Sequence, residues 1–284
     1  MILSLLHLGR VDYPTGLRLQ ETLVELRHQR RIGNVLLLLE HPPVLTLGRN
    51  AHRGNILASD EFLARRGVTV HEINRGGDVT YHGPGQLVGY PILDLRSFTP
   101  RLGAVDYVRR LEEVLIRSCA DYGVLAQRIA GRTGVWTLPG GSVPERKIAA
   151  IGVHISRGIT SHGFAFNITT DLRDFDLIVP CGISDRAVTS LELEANAASA
   201  SQPSLEQVSN SVARHFGSVF EHQVLWLDSL ESLLNEAPAG AGSPTSQPPP
   251  SHQAQRPPSP QDTPLRVPAE LKHLRGEPEE PVLV

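Results

Sequence analysis

The chain has 284 residues, with 27 Lys and Arg against 30 Asp and Glu, for a formal net charge of −3. That length can bury a substantial core, and the charge offers no basic field for a nucleic-acid backbone or an anionic membrane. The longest unbroken apolar run, Val35 to Leu39, is far too short to span a bilayer, and the apolar MILSLLHL start lacks a charged flank, a long apolar stretch and a cleavage site, so a soluble, cytoplasmic protein is expected.

Proline divides the chain. Of 22 prolines, 12 lie beyond Glu236, in a segment with Gly, Ser and Gln and no hydrophobic period. Such a segment cannot offset its ordering entropy. One folded domain is therefore expected over residues 1–235, followed by a disordered proline-rich tail over 236–284.

In chain order, Ile2 to Leu8 reads as a strand and Thr15 to Arg30 as a helix with Leu19, Leu23 and Leu26 on one side. VLLLLEHPPVLTLGR gives two apolar runs that Pro42 and Pro43 keep apart. Ser59 is an N-cap candidate for a short helix over Asp60 to Arg66, stopped by Gly67, and Val68 to Ile73 reads as a strand. From Leu102 to Tyr122 the residues Val105, Val108, Leu111, Leu115, Cys119 and Tyr122 recur at helical spacing, with Gly123 after the last turn. Arg132 to Thr137 is a further strand. Ile151, Val153 and Ile155 alternate with Gly152 and His154, and after a turn signal at Gly158 the residues Phe164, Phe166 and Ile168 repeat the period, which predicts a β-hairpin. Ser204 and Gln207 form a capping box before Leu205, Val208, Val212, Phe216 and Phe220, and Val224 to Leu227 reads as an edge strand. Strands outnumber helices and interleave irregularly, which points to an α/β or α+β sheet with helices packed on it.

Two stretches carry chemistry. RGGDVTYHGPGQ, from Arg75, brings backbone close to a ligand through Gly76, Gly77, Gly83 and Gly85, while Arg75, Tyr81, His82 and Gln86 supply donors and one cation. It matches neither GxGxxG nor GxxxxGK[ST], so a nucleotide site by those routes is unsupported. The second runs from Lys147 to Ile183 and ends in VPCGI, which puts Cys181 between a proline and a glycine on irregular backbone. Cys181 is either an inert small hydrophobe or a nucleophile. A thiol with a pKa near about 8.5 needs a neighbouring cation to react at neutral pH. An ammonium at about 4 Å, at an effective dielectric of about 20, supplies about 4 kcal/mol, enough to lower that pKa by up to about 3. Lys147 is the candidate, being the one lysine before Lys272 in a chain that otherwise uses arginine; the alternative is a solvated surface lysine.

His82, His154 and His162 compete as partners of Cys181 or as zinc ligands, but their spacing fits no HExxH or CxxC scheme, and no metal is expected. His82 and His162 read as pocket residues and His154 as an outward-facing strand residue. Arg75 either holds an anion or caps a loop. Asp171, Asp174 and Asp176 lack EF-hand spacing and read as turn and surface residues. Cys119 falls on an apolar helical face, so two free thiols are expected.

RGGDVTYHGPGQ, KIAAIGVHISRG, HGFAFN and VPCGI, in this order, resemble the lipoyl(octanoyl) transferases of the biotin and lipoate ligase superfamily. The resemblance covers roughly residues 1 to 230. It implies a mixed β-sheet flanked by helices. It matches Cys181 to an acyl-thioester nucleophile and Lys147 to the lysine that lowers its pKa and handles protons. Arg75, Gly76, Gly77, Asp78, Val79, Thr80, Tyr81, His82, Ala150, Ile151, Gly152, Gly163, Phe164 and Ala165 fall on the segments that line the acyl substrate. The implied reaction is ping-pong transfer of an octanoyl group from octanoyl acyl carrier protein, as donor, to a lysine of an acceptor domain. The implied acceptors are the lipoyl domains of 2-oxoacid dehydrogenase complexes and the glycine cleavage H protein. Backbone amides near Gly182 or the Gly76 and Gly77 turn are candidate oxyanion donors. Thioester-to-amide transfer is downhill, so neither ATP nor another cofactor is implied. The rivals are an ATP-using lipoate ligase, a noncatalytic domain that binds an acyl carrier or lipoyl domain, and a papain-like protease, whose cysteine would open a helix.

Overall fold

The computed structural model describes residues 1–139, 144–179, 187–197 and 202–235. In chain order it contains β1 (Ile2–Arg10), α1 (Tyr13–His28), β2 (Asn34–Glu40), β3 (Val44–Leu47), α2 (Asp60–Arg65), β4 (Thr69–Glu72), β5 (Val79–His82), β6 (Gln86–Ile92) and α3 (Ala104–Ala120). There follow β7 (Ala126–Ile129), β8 (Arg132–Thr137), β9 (Lys147–Ser156), β10 (Ile159–Asn167), a 3-10 turn over Leu172–Leu177, α4 (Leu191–Ala197), α5 (Leu205–Phe220), β11 (Gln223–Trp226) and α6 (Leu230–Asn235). Among the described residues the strands form an eight-stranded mixed sheet, in the order β11-β1-β2-β6-β10-β9-β8-β7, and a three-stranded sheet, β4-β3-β5. The expected mixed sheet flanked by helices is what the chain builds.

The large sheet is covered on both faces, which explains why β2 can be almost uniformly apolar. Leu36 and Leu38 join Leu3, Leu5, Leu87, Phe164 and Phe166 against α3 and α5. Val35, Leu37 and Leu39 turn the other way, with Leu6, Val88, Tyr90 and Ile92, against Leu19, Leu23 and Leu26 of α1. Alternate residues of a strand point to opposite faces, so one run serves two cores.

Pro42 and Pro43 send the two halves of the long apolar run to different sheets, β2 to the large one and β3 to the small one. The small sheet has its own core, in which Leu45, Leu47, Leu63, Val79 and Tyr81 meet Phe175, Leu177 and Ile178.

The helix ends follow local chemistry. Asp12 accepts from the Thr15 N–H at 2.9 Å and Pro14 fits the first turn, so α1 starts earlier than the leucine spacing alone predicts. Ser59 caps α2, and Ser204 with Gln207 completes the expected capping box of α5. Gly123 follows α3 with φ at 70°, a value that favours glycine. Val105 is 70% exposed, against the expectation that it shares the apolar face of α3. Six residues from Leu111 is about 120° around a helix, and the buried stripe centres on Tyr107, Leu111 and Leu115.

Candidate functional site

A cavity of about 410 Å3 lies where the two sheets meet, within the size range of small-molecule sites. Its floor comes from β9 and β10. Gly152 and Gly163 are paired across those strands, followed in register by Ile151 and Phe164, then Ala150 and Ala165. A Cβ on Gly163 would stand 2.1 Å from the Gly89 carbonyl oxygen, and one on Gly152 would stand 2.9 Å from that of Gly76. Gly163 therefore lets β6 close against β10, and Gly152 lets neighbouring backbone settle onto the sheet where a side chain would hold it off.

What settles there is the loop from Arg75 to Asp78. The Gly76 N–H donates to the Val153 carbonyl at 3.0 Å, and the carbonyls of Arg75, Gly77 and Asp78 accept from the N–H groups of Arg49, Asn50 and Gly48. Arg75 is buried, and its Nη2 donates to the Thr46 carbonyl at 2.6 Å and to Thr46 Oγ1 at 2.9 Å, while Nη1 reaches the Gly76 carbonyl at 3.0 Å. Arg75 thus holds the loop and also lines the cavity. The Gly76 N–H is spent on β9, which takes it out of the candidate oxyanion donors of that turn. Gly182, the other candidate, lies outside the described residues.

Three buried histidines, His41, His82 and His162, sit along the seam. His41 donates from Nδ1 to the Val11 carbonyl at 2.6 Å and accepts at Nε2 from the Tyr90 hydroxyl at 2.7 Å. Burial pushes its pKa down to about 4, so the ring is neutral and Nε2 is left to accept. His82 donates from Nδ1 to Gln86 Oε1 at 2.8 Å, and burial, then His41, hold it at about 3. Tyr13 stacks on both His71 and His82, with centroids 5.4 and 6.1 Å apart. His162 has φ at 54°, an uncommon conformation for a residue other than glycine, and is fixed at both ends: its N–H donates to Gln20 Oε1 and its Nε2–H to Asn74 Oδ1, each at 2.7 Å. Burial, then Arg75, lower its pKa to about 4. His154 is half-buried with its pKa lowered by burial, and then by Arg49.

Lys147 opens β9 and lines the same cavity. Its ammonium lies 4.8 Å from the centre of the Trp136 ring. Its N–H donates to the Ala187 carbonyl at 3.1 Å and its carbonyl accepts from the Thr189 N–H at 2.9 Å. Thr189 is tied in turn to the far side of the cavity: its carbonyl accepts from Asn167, Asn167 accepts from Gln86, and Gln86 accepts from His82. Cys181 lies outside the described residues. On its N-terminal side the Val179 N–H donates to the Asn55 carbonyl at 2.7 Å. The described cysteine, Cys119, is fully buried, and burial pushes its thiol far above the ordinary range, as an inert core residue requires.

The structure brings Arg75, Gly76, Gly77, Asp78, Val79, Thr80, His82, Lys147, Ala150, Ile151, Gly152, Gly163, Phe164 and Ala165 onto one cavity. Tyr81 is the exception among the described candidates. Alternation along β5 turns it away from Thr80 and His82, into the small core, where its hydroxyl donates to Asp174 Oδ2 at 2.6 Å. Asp174 is consequently buried, not a surface residue as expected, and also accepts from Arg66 at 2.7 Å. Asp171 does form the expected turn, accepting from the Arg173 backbone and side chain. Sequence reasoning missed Tyr13, His41, Asn74 and Tyr90, which reach the site from α1, a proline-broken connection, a loop and a buried strand. No spacing links them. Among the described residues no cluster of three or more His, Cys, Asp or Glu is placed to hold a metal, and no helix is long and apolar enough to cross a membrane.

The family model of the lipoyl protein ligase A/B catalytic domain matches residues 12–217. An octanoyltransferase of Acidobacterium capsulatum is 73% identical over 243 residues, covering 83% of this chain and 97% of its own. One from Koribacter versatilis is 53% identical over 273 residues, covering 96% and 97%. Among solved structures, a lipoate-protein ligase A bound with ATP superposes with a TM-score of 0.61 at 17% identity, covering 83% of this chain and 93% of that one, a likeness of fold alone.

Proposed function

Since the chain belongs to the lipoyl protein ligase A/B catalytic domain family, as a relative of its octanoyltransferases, we propose that it moves an octanoyl group from octanoyl acyl carrier protein, through a thioester on Cys181, to a lysine on lipoyl domains of lipoate-dependent enzymes. The catalytic unit is residues 1–235, acting in the cytoplasm. In the first half, Lys147 takes the proton of Cys181. The thiolate attacks the donor thioester carbonyl, and the carrier's phosphopantetheine leaves as a thiol with that proton. In the second half, the acceptor amine attacks the Cys181 thioester, Lys147 takes the proton the amine loses, and the Cys181 sulfur departs as the amide forms. Thioester energy drives the step, so no ATP enters.

The observation that carries the reading is the place of Lys147, on one cavity with the glycine-rich loop and the paired glycines of β9 and β10. It is supported by the backbone bonds that tie Lys147 to Ala187 and Thr189, on the C-terminal side of the segment that holds Cys181. The seam histidines, kept neutral by burial, leave Arg75, Arg132 and Lys147 as the cavity residues suited to supply positive charge for a thiolate, and of these the lysine is the one that can also give up a proton. The test is intact-mass analysis after incubation with octanoyl acyl carrier protein. Wild type gains one octanoyl mass, Cys181→Ser gains none, and Lys147→Ala gains it more slowly. Acylation that persists in Cys181→Ser and resists hydroxylamine overturns the thioester. Pyrophosphate release from ATP and free octanoate would identify a ligase instead.

A further inference from the structure

Trp136 and Lys147 face each other across β8 and β9 in register. The indole is 2% exposed, and the ammonium stands 4.8 Å from its centre. A cation within about 6 Å of an aromatic face is attracted by the ring quadrupole, most strongly on tryptophan and where water is excluded. The Trp136 Nε1 is buried with no hydrogen-bond partner among the described residues, so the ring is held by what its faces and edges touch and not by its polar atom. Arg132 also approaches the ring, with its Cζ 5.9 Å from the centre.

The strand beneath the ring is anchored by a carboxylate that the proposed reaction does not use. Glu112 on α3 is 0% exposed. Its Oε1 accepts from the Gly134 N–H at 3.1 Å, and its Oε2 pairs with Arg109 at 2.7 Å and Arg128 at 3.2 Å. Gly134 has φ at 117°, and a Cβ there would lie 2.6 Å from the Ala149 carbonyl oxygen and 3.6 Å from Lys147 Cε. Glu112 and Gly134 thus let β8 close on β9 where the stem of Lys147 passes, two residues before Trp136.

We propose that Trp136 is a positioning residue for the transfer reaction, whose indole face seats the Lys147 ammonium on the cavity wall. The inference rests on the role given to Lys147 above. A lysine stem is flexible, and a seat on one side removes orientations that would carry its nitrogen out of the cavity. The contact strengthens when the nitrogen gains a proton and weakens when it loses one, so the seat favours Lys147 in the state that follows proton uptake.

The test has a structural arm and a kinetic arm, both on the full chain. The chain has two lysines, Lys147 and Lys272, so labelling lysine with carbon-13 at Cε gives two signals by NMR. One is expected upfield, shifted by the indole ring current, and it should return to the ordinary position in Trp136→Leu. The absence of a shifted signal in wild type overturns the seat. For the kinetic arm, Trp226→Phe removes the other tryptophan, which is 44% exposed on β11. Progressively fluorinated tryptophans then replace Trp136. Fluorine drains the ring face with little change of shape, so acylation of Cys181 should slow stepwise by about ten-fold in all, the size of a desolvated cation–π contact. Trp136→Phe should recover part of what Trp136→Leu loses. A rate indifferent to fluorination, beside an intact shifted signal, overturns the positioning role and leaves the proposed reaction standing. Acylation undiminished in Cys181→Ser removes the reaction, and the inference with it.

Discussion

The large sheet buries Leu36 and Leu38 on one face and Val35, Leu37 and Leu39 on the other, whereas the small sheet buries one core against Phe175, Leu177 and Ile178 and turns Thr80 and His82 toward the cavity. Both contain pieces of one apolar run, cut by Pro42 and Pro43. Where a sheet is covered on two sides it becomes scaffold, and where one side is left open, as in the small sheet and at the β9 and β10 floor of the cavity, it supplies a wall that can meet a ligand. The glycines follow the same division: Gly163 admits the backbone of β6, within the scaffold, and Gly152 admits the loop of the small sheet.

That division can be broken by experiment. Gly163→Ala should be the most damaging change, because its Cβ would meet the Gly89 carbonyl oxygen at 2.1 Å and Pro91 Cδ at 2.7 Å, both on a central strand. A loss of about 3 kcal/mol or more is expected from the urea midpoint; an unchanged midpoint would mean that the scaffold yields as easily as the wall.

The seam between the sheets should respond to acid. His41 and His162 sit at about 4 and His82 at about 3 in the fold, against an ordinary 6.5. Below about pH 6.5 the unfolded chain binds protons that the folded chain refuses, so stability is full above that pH. It falls as pH drops toward about 4, by about 1 kcal/mol for each of the three between pH 7 and about 5.5. Urea midpoints across that window check it, and a flat profile would place these imidazoles in contact with water.

Smaller effects separate wall from scaffold more finely. Gly152→Ala should cost about 1 kcal/mol of stability yet slow octanoyl transfer by roughly ten-fold or more, since its Cβ meets Gly76 O at 2.9 Å and Arg75 Cδ at 3.1 Å, on a cavity loop that must move as a unit and not on a central strand. Equal losses of stability in Gly152→Ala and Gly163→Ala would erase the distinction. Tyr81→Phe should lower stability by about 1–2 kcal/mol through the lost bond to Asp174 while leaving transfer nearly intact, because its side chain faces the small core. A transfer rate that collapsed in Tyr81→Phe would return this residue to the site. Asp60→Ala, which breaks an exposed pair with Arg53, should move the urea midpoint by no more than about 0.5 kcal/mol.

What could be read from residues alone followed periodicity. The hairpin of β9 and β10, the strand β8 and the capped α5 stand where alternation and the capping box place them. The short elements α2, β4 and β11 are legible from a cap, a glycine stop or an apolar run, whereas β5, β7, α4 and α6, equally short, hold too little period for that reading and are fixed by their neighbours. The candidate site was legible where it is continuous in sequence, from Arg75 to His82 and from Lys147 to Gly152. Tyr81 shows the limit, for a motif names a segment and alternation decides which of its side chains face the ligand. Asn74 and His41 were invisible because their roles depend on His162 and Tyr90, which lie far away in the chain.

Among the described residues, the strand nearest the N-terminus is completed by the strand nearest the C-terminus. β1 lies between β2 and β11, with Ile2 beside Gln223 and Leu5 beside Trp226, both parallel. A chain emerging from the ribosome therefore carries Ile2 to Leu5 with one row of backbone donors and acceptors open until Trp226 has been made. Synthesis that stalls between β10 and β11 would release a sticky intermediate with the cavity floor already encoded, which makes the interval before β11 the stretch of translation in which this fold is most exposed to misassembly.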